Sequence, residues 1–260
     1  MTKPKNVYKK ASLIQFGKFL RSFLDSDSWP GFQSGVDQIE FDNFQLSVEK
    51  AQLNNAWFSI KMIRLSLDSW AKNLSEDHID KWLSKYEIPT FINKSVLIIC
   101  AGNLPLVGFH DIVCCILLNI NTQVKLSKND NVLIPAILNV LYLFDSELQD
   151  RIKICNEKPD NYNYVIATGS NNSNRYFEYY FGKFPHIFRR NRTSIAVVHS
   201  EISDDQLKSL SHDMLQYYGL GCRSVTKLYL PEKFSLDRIY NSVFNYKDLI
   251  NHNKYMNNYD

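Results

Sequence analysis

Apolar residues recur every three or four positions through the first third of the chain. From Lys94 onward they gather instead into short runs separated by helical stretches. Leu13, Phe16, Phe19, Leu20 and Phe23 share one helical face, and Trp57, Ile60, Ile63, Leu67, Trp70 and Leu74 share another. Ser75-Glu76-Asp77 opens a further helix towards Trp82 and Leu83, with its acids in the first turn, where the helix dipole favours them. Asp25 to Gly35, with Pro30 and Gly31, reads as a loop. Residues 1–93 are therefore expected to be a helical region packed on the core, its aromatics serving as packing.

Beyond it, Ser95–Cys100 reads as a buried strand, Ala101–Pro105 as a turn and Val107–Ile120 as a buried, almost wholly apolar helix. Gln123–Ser127, Ile152–Cys155, Tyr164–Ala167 and Ser194–Val198 are further strands. Ile134–Phe144 and Asn171–Phe181 are further helices. Ser203-Asp204-Asp205 caps a helix that is expected to end at Gly219, and Val225–Leu230 is strand-like. This alternation predicts an α/β fold, a helical amino-terminal region followed by a doubly wound, mostly parallel sheet. Three divisions follow: residues 1–93, an α/β domain over 94–200, and a separate region over 201–260.

Bulk properties narrow the classes. The net charge of +3 is too small to imply a nucleic-acid partner. The longest apolar stretch, Ile112–Ile120, is far short of the about 20 residues a membrane span needs, so no stable membrane insertion is expected. Five cysteines, Cys100, Cys114, Cys115, Cys155 and Cys222, fit no zinc spacing and read as free thiols of a reducing compartment. No apolar segment follows Met1-Thr2-Lys3-Pro4-Lys5, so a cytoplasmic location is expected and no metal site is.

Parallel sheets bind ligands at the carboxyl ends of their strands, and three such ends carry usable chemistry. After the first strand, the Asn103 amide can donate to a developing oxyanion, or it can be a turn asparagine. After the second, Lys125 and Ser127 share a strand face and suit a ribose hydroxyl or phosphate, or a solvated strand end. After the fourth, Thr168-Gly169-Ser170 precedes a helix and suits a phosphate, or is an ordinary cap. The G-x-G-x-x-G fingerprint is absent. Arg189, Arg190 and Arg192 form a basic cluster, read as phosphate-binding or solvated, and His110-Asp111 opens the buried helix. Cys222 sits in Gly219-Leu220-Gly221-Cys222-Arg223, between a glycine turn and a cation that would raise its thiolate fraction. It is a candidate nucleophile, or a cysteine that merely follows a helix C-cap.

In this order, Gly102-Asn103-Leu104-Pro105 with Gly108-Phe109-His110-Asp111, Val124-Lys125-Leu126-Ser127-Lys128, Ala167-Thr168-Gly169-Ser170 and Gly219-x-Gly221-Cys222-Arg223-Ser224-Val225 resemble the LuxC-type fatty acyl-CoA reductases, the luminescence family within the aldehyde dehydrogenase superfamily. The resemblance runs from about Ser95 to Pro231. It implies an aldehyde dehydrogenase-like nucleotide-binding domain followed by the beginning of a catalytic domain. It implies NADP(H)-dependent reduction of an acyl-CoA to the aldehyde, with Cys222 as the acylated nucleophile and Asn103 as oxyanion donor. Lys125 and Ser127 would bind the adenosine ribose or its 2′-phosphate, and Thr168, Gly169 and Ser170 the dinucleotide phosphates. A homo-oligomer or an acyl-transferring partner is a further expectation.

The chain departs from the superfamily in two ways. Where hydrolytic members carry a glutamate base in a Glu-Leu-Gly-Gly-Lys-like stretch, this sequence reads Phe188-Arg189-Arg190-Asn191-Arg192. A thioester there would be spared hydrolysis and left for reduction, which sets a hydrolytic aldehyde dehydrogenase behind a reductase. Family members are also longer, so a truncated, non-catalytic remnant or an acyl-CoA- or partner-binding subunit is the alternative. A cofactor-free cysteine acyltransferase would need His212 or His110 beside Cys222.

Overall fold

The computed structural model describes residues 6–88 and 93–257. Met1–Lys5 and the end of the polar tail at 258–260 lie outside them. The chain divides into two compact units, one to Arg190 and one from Asn191.

The first unit opens with four helices: α1 (Asn6–Asp25), α2 (Gln38–Asn54), α3 (Ile60–Asn73) and α4 (Glu76–Leu83). Helix α2 starts where the Asp37 side chain accepts the Glu40 N–H, and α3 where Ser59 accepts that of Met62, each satisfying a donor the helix cannot. Phe16, Phe19 and Phe41 are fully buried, and Phe23 and Phe44 meet edge to face with ring centroids 4.9 Å apart. The aromatics of this region are core packing, as their period predicts.

A five-stranded parallel sheet follows: β1 (Ser95–Ile99), β2 (Asn121–Lys125), β3 (Ile152–Ile154), β4 (Tyr164–Thr168) and β5 (His186–Arg189), in the order β3-β2-β1-β4-β5. The helices between strands are α5 (Phe109–Leu117), α6 (Leu133–Phe144), the short α7 (Leu148–Arg151) and α8 (Asn171–Phe181). Alternation along β1 sorts its side chains to two faces. Val96 and Ile98 join the large core with α1, α3, α5 and α6. Leu97 joins Val165, Ala167 and the phenylalanines Phe177, Phe181, Phe184 and Phe188 on the other face. The strand order reverses between β1 and β4, which is where an open α/β sheet leaves a crevice at its carboxyl edge.

Strand β5 is not among the predicted strands. The charged run that follows it conceals it, because two arginines and an asparagine read as a loop. The apolar helix is also shorter than its hydropathy predicts, since the chain from Gly102 to Gly108 forms turns before α5 begins.

The second unit contains β6 (Ser194–Val197) and β7 (Val225–Tyr229), paired in parallel, with α9 (Asp204–Leu215), α10 (Leu236–Val243) and the four-residue α11 (Asn253–Met256). The strand at Ser194 therefore belongs with β7 in this unit and not with the five-stranded sheet, so the boundary after residue 200 moves to Arg190. Helix α9 starts in a capping box between Ser203 and Gln206, as its sequence predicts. It ends at Leu215, short of Gly219. A tight turn with Tyr217, Tyr218 and Gly219 all at positive φ separates the two. No helix among the described residues is long and apolar enough to cross a membrane.

Candidate functional site

The carboxyl ends of β2, β1 and β4 lie side by side, with Ile99 in register with Lys125 on one flank and Ala167 on the other. At ordinary strand spacing those flanking positions are about 10 Å apart. Candidates that are scattered over some seventy residues of sequence thus converge on one edge.

The loop after β1 is held from outside. Asn55, buried at the end of α2, donates from Nδ2 to the carbonyls of Gly102 and Asn129, each at 3.0 Å, and accepts from the Trp57 N–H at 3.1 Å. The Ser66 hydroxyl reaches the Pro105 carbonyl at 3.4 Å. The Asp130 carboxylate accepts the Leu106 N–H at 3.3 Å, and Leu106 sits at φ 63. Gly102 packs against the Ser127 side chain so closely that a Cβ there would overlap it. Asn103 stands exposed on this braced loop. Sequence reading missed Asn55 because nothing in a helix-ending asparagine announces a partner 47 residues away. Asn55→Leu would take this donor from the buried Gly102 carbonyl and from the part-buried Asn129 carbonyl. An expected loss of about 2 kcal/mol, read by urea unfolding, follows from that penalty.

The second strand end is more engaged than its sequence implies. Lys125 Nζ reaches the carbonyls of Asn156 and Glu157 at 3.4 and 3.3 Å, and Ser127 Oγ accepts the Asn129 N–H at 3.2 Å. Both residues are half-buried. At the third end Ser170 caps α8, its Oγ accepting from Ser173 N at 3.2 Å, and the Gly169 N–H is donated to the Arg189 carbonyl at 3.1 Å. The capping role and the phosphate role are both open to Ser170 in sequence, and the structure fills the first.

Beside this turn lies a pairing that sequence does not reveal. Arg189 forks onto Asp111, Nη1 at 2.7 Å and Nη2 at 2.8 Å, and its Nη1 is 3.5 Å from Thr168 Oγ1. Arg190 pairs with Glu178 at 2.8 Å. Arg189 is thus held by a buried carboxylate, while Arg190 and Arg192 are exposed, in line with the solvated reading of the cluster. The stretch that carries no carboxylate in sequence also meets two in space, each already committed to an arginine. Burial opposes the ionisation of Asp111, but hydrogen bonds from His110 and Arg189 outweigh it and hold its carboxyl below the usual range.

Cys222 lies in the second unit, exposed, in the turn before β7. The Gly221 N–H donates to Ser224 Oγ at 3.1 Å and the Ser224 N–H to the Gly221 carbonyl at 3.0 Å, so the thiol is carried on a closed turn. His212, in the same unit, is hydrogen-bonded to the Tyr246 hydroxyl. All five cysteines are free, and no cluster of His, Cys, Asp or Glu among the described residues could hold a metal.

The donor set at the three strand ends fits a nicotinamide dinucleotide in its chemistry. Thr168 and Ser170 bring hydroxyls to the start of an eleven-residue helix, and Lys125 and Ser127 bring an ammonium and a hydroxyl to the neighbouring strand. The fit has limits: the Gly169 N–H is spent within the sheet, Ser170 Oγ caps α8 and Lys125 Nζ reaches two carbonyls.

No family model matches the chain, and no curated protein does. Solved structures do. The indole-3-acetaldehyde dehydrogenase AldA of P. syringae, solved with NAD+ and IAA, superposes with a TM-score of 0.63 at 13% identity, over 92% of this chain and 50% of its own. An aldehyde dehydrogenase of Physcomitrella patens in complex with the reaction product succinate gives 0.61 at 12%, over 89% and 51%. Aldehyde dehydrogenase C of Pseudomonas syringae, with NAD+ and octanal, gives 0.60 at 10%, over 92% and 50%. This chain spans about half the length of these neighbours. The likeness is one of architecture, and the α/β fold seen here is the aldehyde dehydrogenase-like fold.

Proposed function

We propose that this chain serves an NAD(P)-dependent oxidoreductase working at the aldehyde level, and that the reaction is reduction of a fatty acyl-CoA to the aldehyde with NADPH. The observation that carries this reading is the convergence of the β2, β1 and β4 ends at the point where the strand order reverses. Neighbours of the same fold have been solved with NAD+, one of them with octanal, an aliphatic aldehyde. A bound nicotinamide dinucleotide supplies hydride to a carbonyl carbon.

The chain's own groups would do the rest. The Cys222 thiolate attacks the thioester carbonyl, its sulfur–carbon bond forms, and the CoA thiolate leaves. The Asn103 amide donates to the oxyanion, a contact of a kind commonly worth roughly 2.7–4 kcal/mol in the transition state. Lys125 and Ser127 hold the ribose end, and Thr168 and Ser170 the phosphates. The carboxylates that Arg189 and Arg190 contact are both ion-paired.

The test is incubation with an acyl-CoA radiolabelled in its acyl group, followed by peptide mapping. Label is expected on Cys222, released by hydroxylamine and absent from Cys222→Ser. Label that persists in that variant excludes the role. A second reading, an acyl-CoA- or partner-binding subunit without turnover, is favoured by the apolar side chains that the second unit exposes, Ile195, Val197, Leu236 and Phe244 among them. It predicts acyl-CoA binding with no aldehyde formed when NADPH is added.

A further inference from the structure

A second thiol stands in a more elaborate setting than Cys222. Cys114 lies one turn after His110 on α5, its Sγ 3.9 Å from the His110 Nδ1. The same Nδ1 is 3.6 Å from the Asp111 carboxylate, which is itself gripped by Arg189. Guanidinium, carboxylate, imidazole and thiol thus form one continuous row. The rings of Trp70 on α3 and Trp82 on α4 pack on the imidazole from other elements, 6.4 and 5.7 Å from it, and that of Trp82 is close enough to favour a cation. His110 is exposed and Cys114 half-buried, so a small reagent can reach the sulfur. The adjacent Cys115 is buried, and burial pushes its thiol up to about 12. Cys100 is likewise held up at about 12.

We propose that Cys114, paired with His110 as thiolate and imidazolium, is a reactive modification site that takes an oxygen atom from a hydroperoxide. The sulfur attacks the terminal peroxide oxygen, the O–O bond breaks, and the alkoxide leaves and takes a proton from solvent. Sulfur loses two electrons and becomes a sulfenic acid, and the peroxide gains them. The hydrogen bond to Asp111, ahead of that to Cys114, raises His110 above the ordinary imidazole range, which agrees with a cation at neutral pH. A thiolate held this way reacts faster at mildly acid pH, although its intrinsic nucleophilicity falls as its basicity does.

Two measurements on the full chain decide it. Iodoacetamide alkylation is read peptide by peptide across pH 5 to 10. At pH 6.5 the rate at Cys114 is expected to exceed that at Cys155 about 10-fold. His110→Asn should remove that advantage while leaving the rate at pH 10 unchanged. Treatment with tert-butyl hydroperoxide in the presence of dimedone should then tag Cys114. A wild-type alkylation rate at pH 6.5 no greater at Cys114 than at Cys155, or dimedone labelling no greater at Cys114 than at Cys155, overturns the proposal. The wild-type profile stands on its own if the variant fails to fold.

Discussion

Arg189→Met is expected to cost the first unit about 3 kcal/mol at neutral pH, because it strands a buried charge. Asp111 is 5% exposed at its side chain, and the lost fork supplies two of its hydrogen bonds. Arg189 itself is 38% exposed, which places the cost at the low end of the range for buried pairs. The sign of the pH dependence follows from Asp111, whose carboxyl is held below its unfolded value of 3.8. The stability it brings is present above that value and is lost as pH falls through the folded value. The wild type and Arg189→Met should therefore differ most near neutrality and converge in acid. Urea unfolding followed by tryptophan fluorescence reads this unit alone, since Trp29, Trp57, Trp70 and Trp82 all lie in it. The double variant Arg189→Met/Asp111→Leu is expected to recover most of the loss, since apolar replacement removes the stranded charge. If the single variant unfolds with the wild type, the fork contributes nothing.

The parts of the fold that were legible in sequence are those whose periodicity is undiluted. Asn171–Phe181 and Ser95–Ile99 follow the expected ranges to within a residue, because apolar spacing and flanking turns agree there. The parts that were not legible depend on partners far along the chain. Strand β5 exists because Val165, Ile166 and Ala167 offer it a ladder, and its arginine is tolerable inside the fold because Asp111 lies across from it. The strand at Ser194 looks like a continuation of the same sheet, but only β7 provides it with a partner. The candidate site divides in the same way. Glycine, serine and threonine mark the end of a strand, and β4 does end at Thr168. What those residues are already bonded to could not be read: Ser170 to its helix, Gly169 to β5, Lys125 to two carbonyls. Nor does sequence show that Asn55 and Asp130, from outside the motif, set the shape of the loop that carries Asn103.

Asp130 is the member of that frame whose removal should change stability with pH most steeply. It is 2% exposed, one carboxylate oxygen accepts the Leu106 N–H, and the other has no hydrogen-bond partner among the described residues. Burial raises its carboxyl to about 7, against the opposing pull of the Leu106 and Leu133 N–H groups. The unfolded chain releases this proton near 3.8, so between that value and about 7 the folded state holds a proton the unfolded state has lost. The group's contribution is therefore complete below 3.8 and lost as pH rises through 7, a fall on the order of 4 kcal/mol over the window. Asp130→Asn keeps an acceptor for Leu106 and carries no titrating proton. The stability difference, variant minus wild type, should thus grow by several kcal/mol between pH 4 and pH 7 and then level off, measured by urea unfolding at unit steps of pH. Subtracting the wild type cancels the other carboxylates, Asp111 included, whose own contribution has the opposite slope. A flat difference would mean that Asp130 stays ionised in the folded chain. Its spare oxygen would then need a donor, and the backbone at Leu106, strained at φ 63, would be held by a full charge instead of a neutral acid.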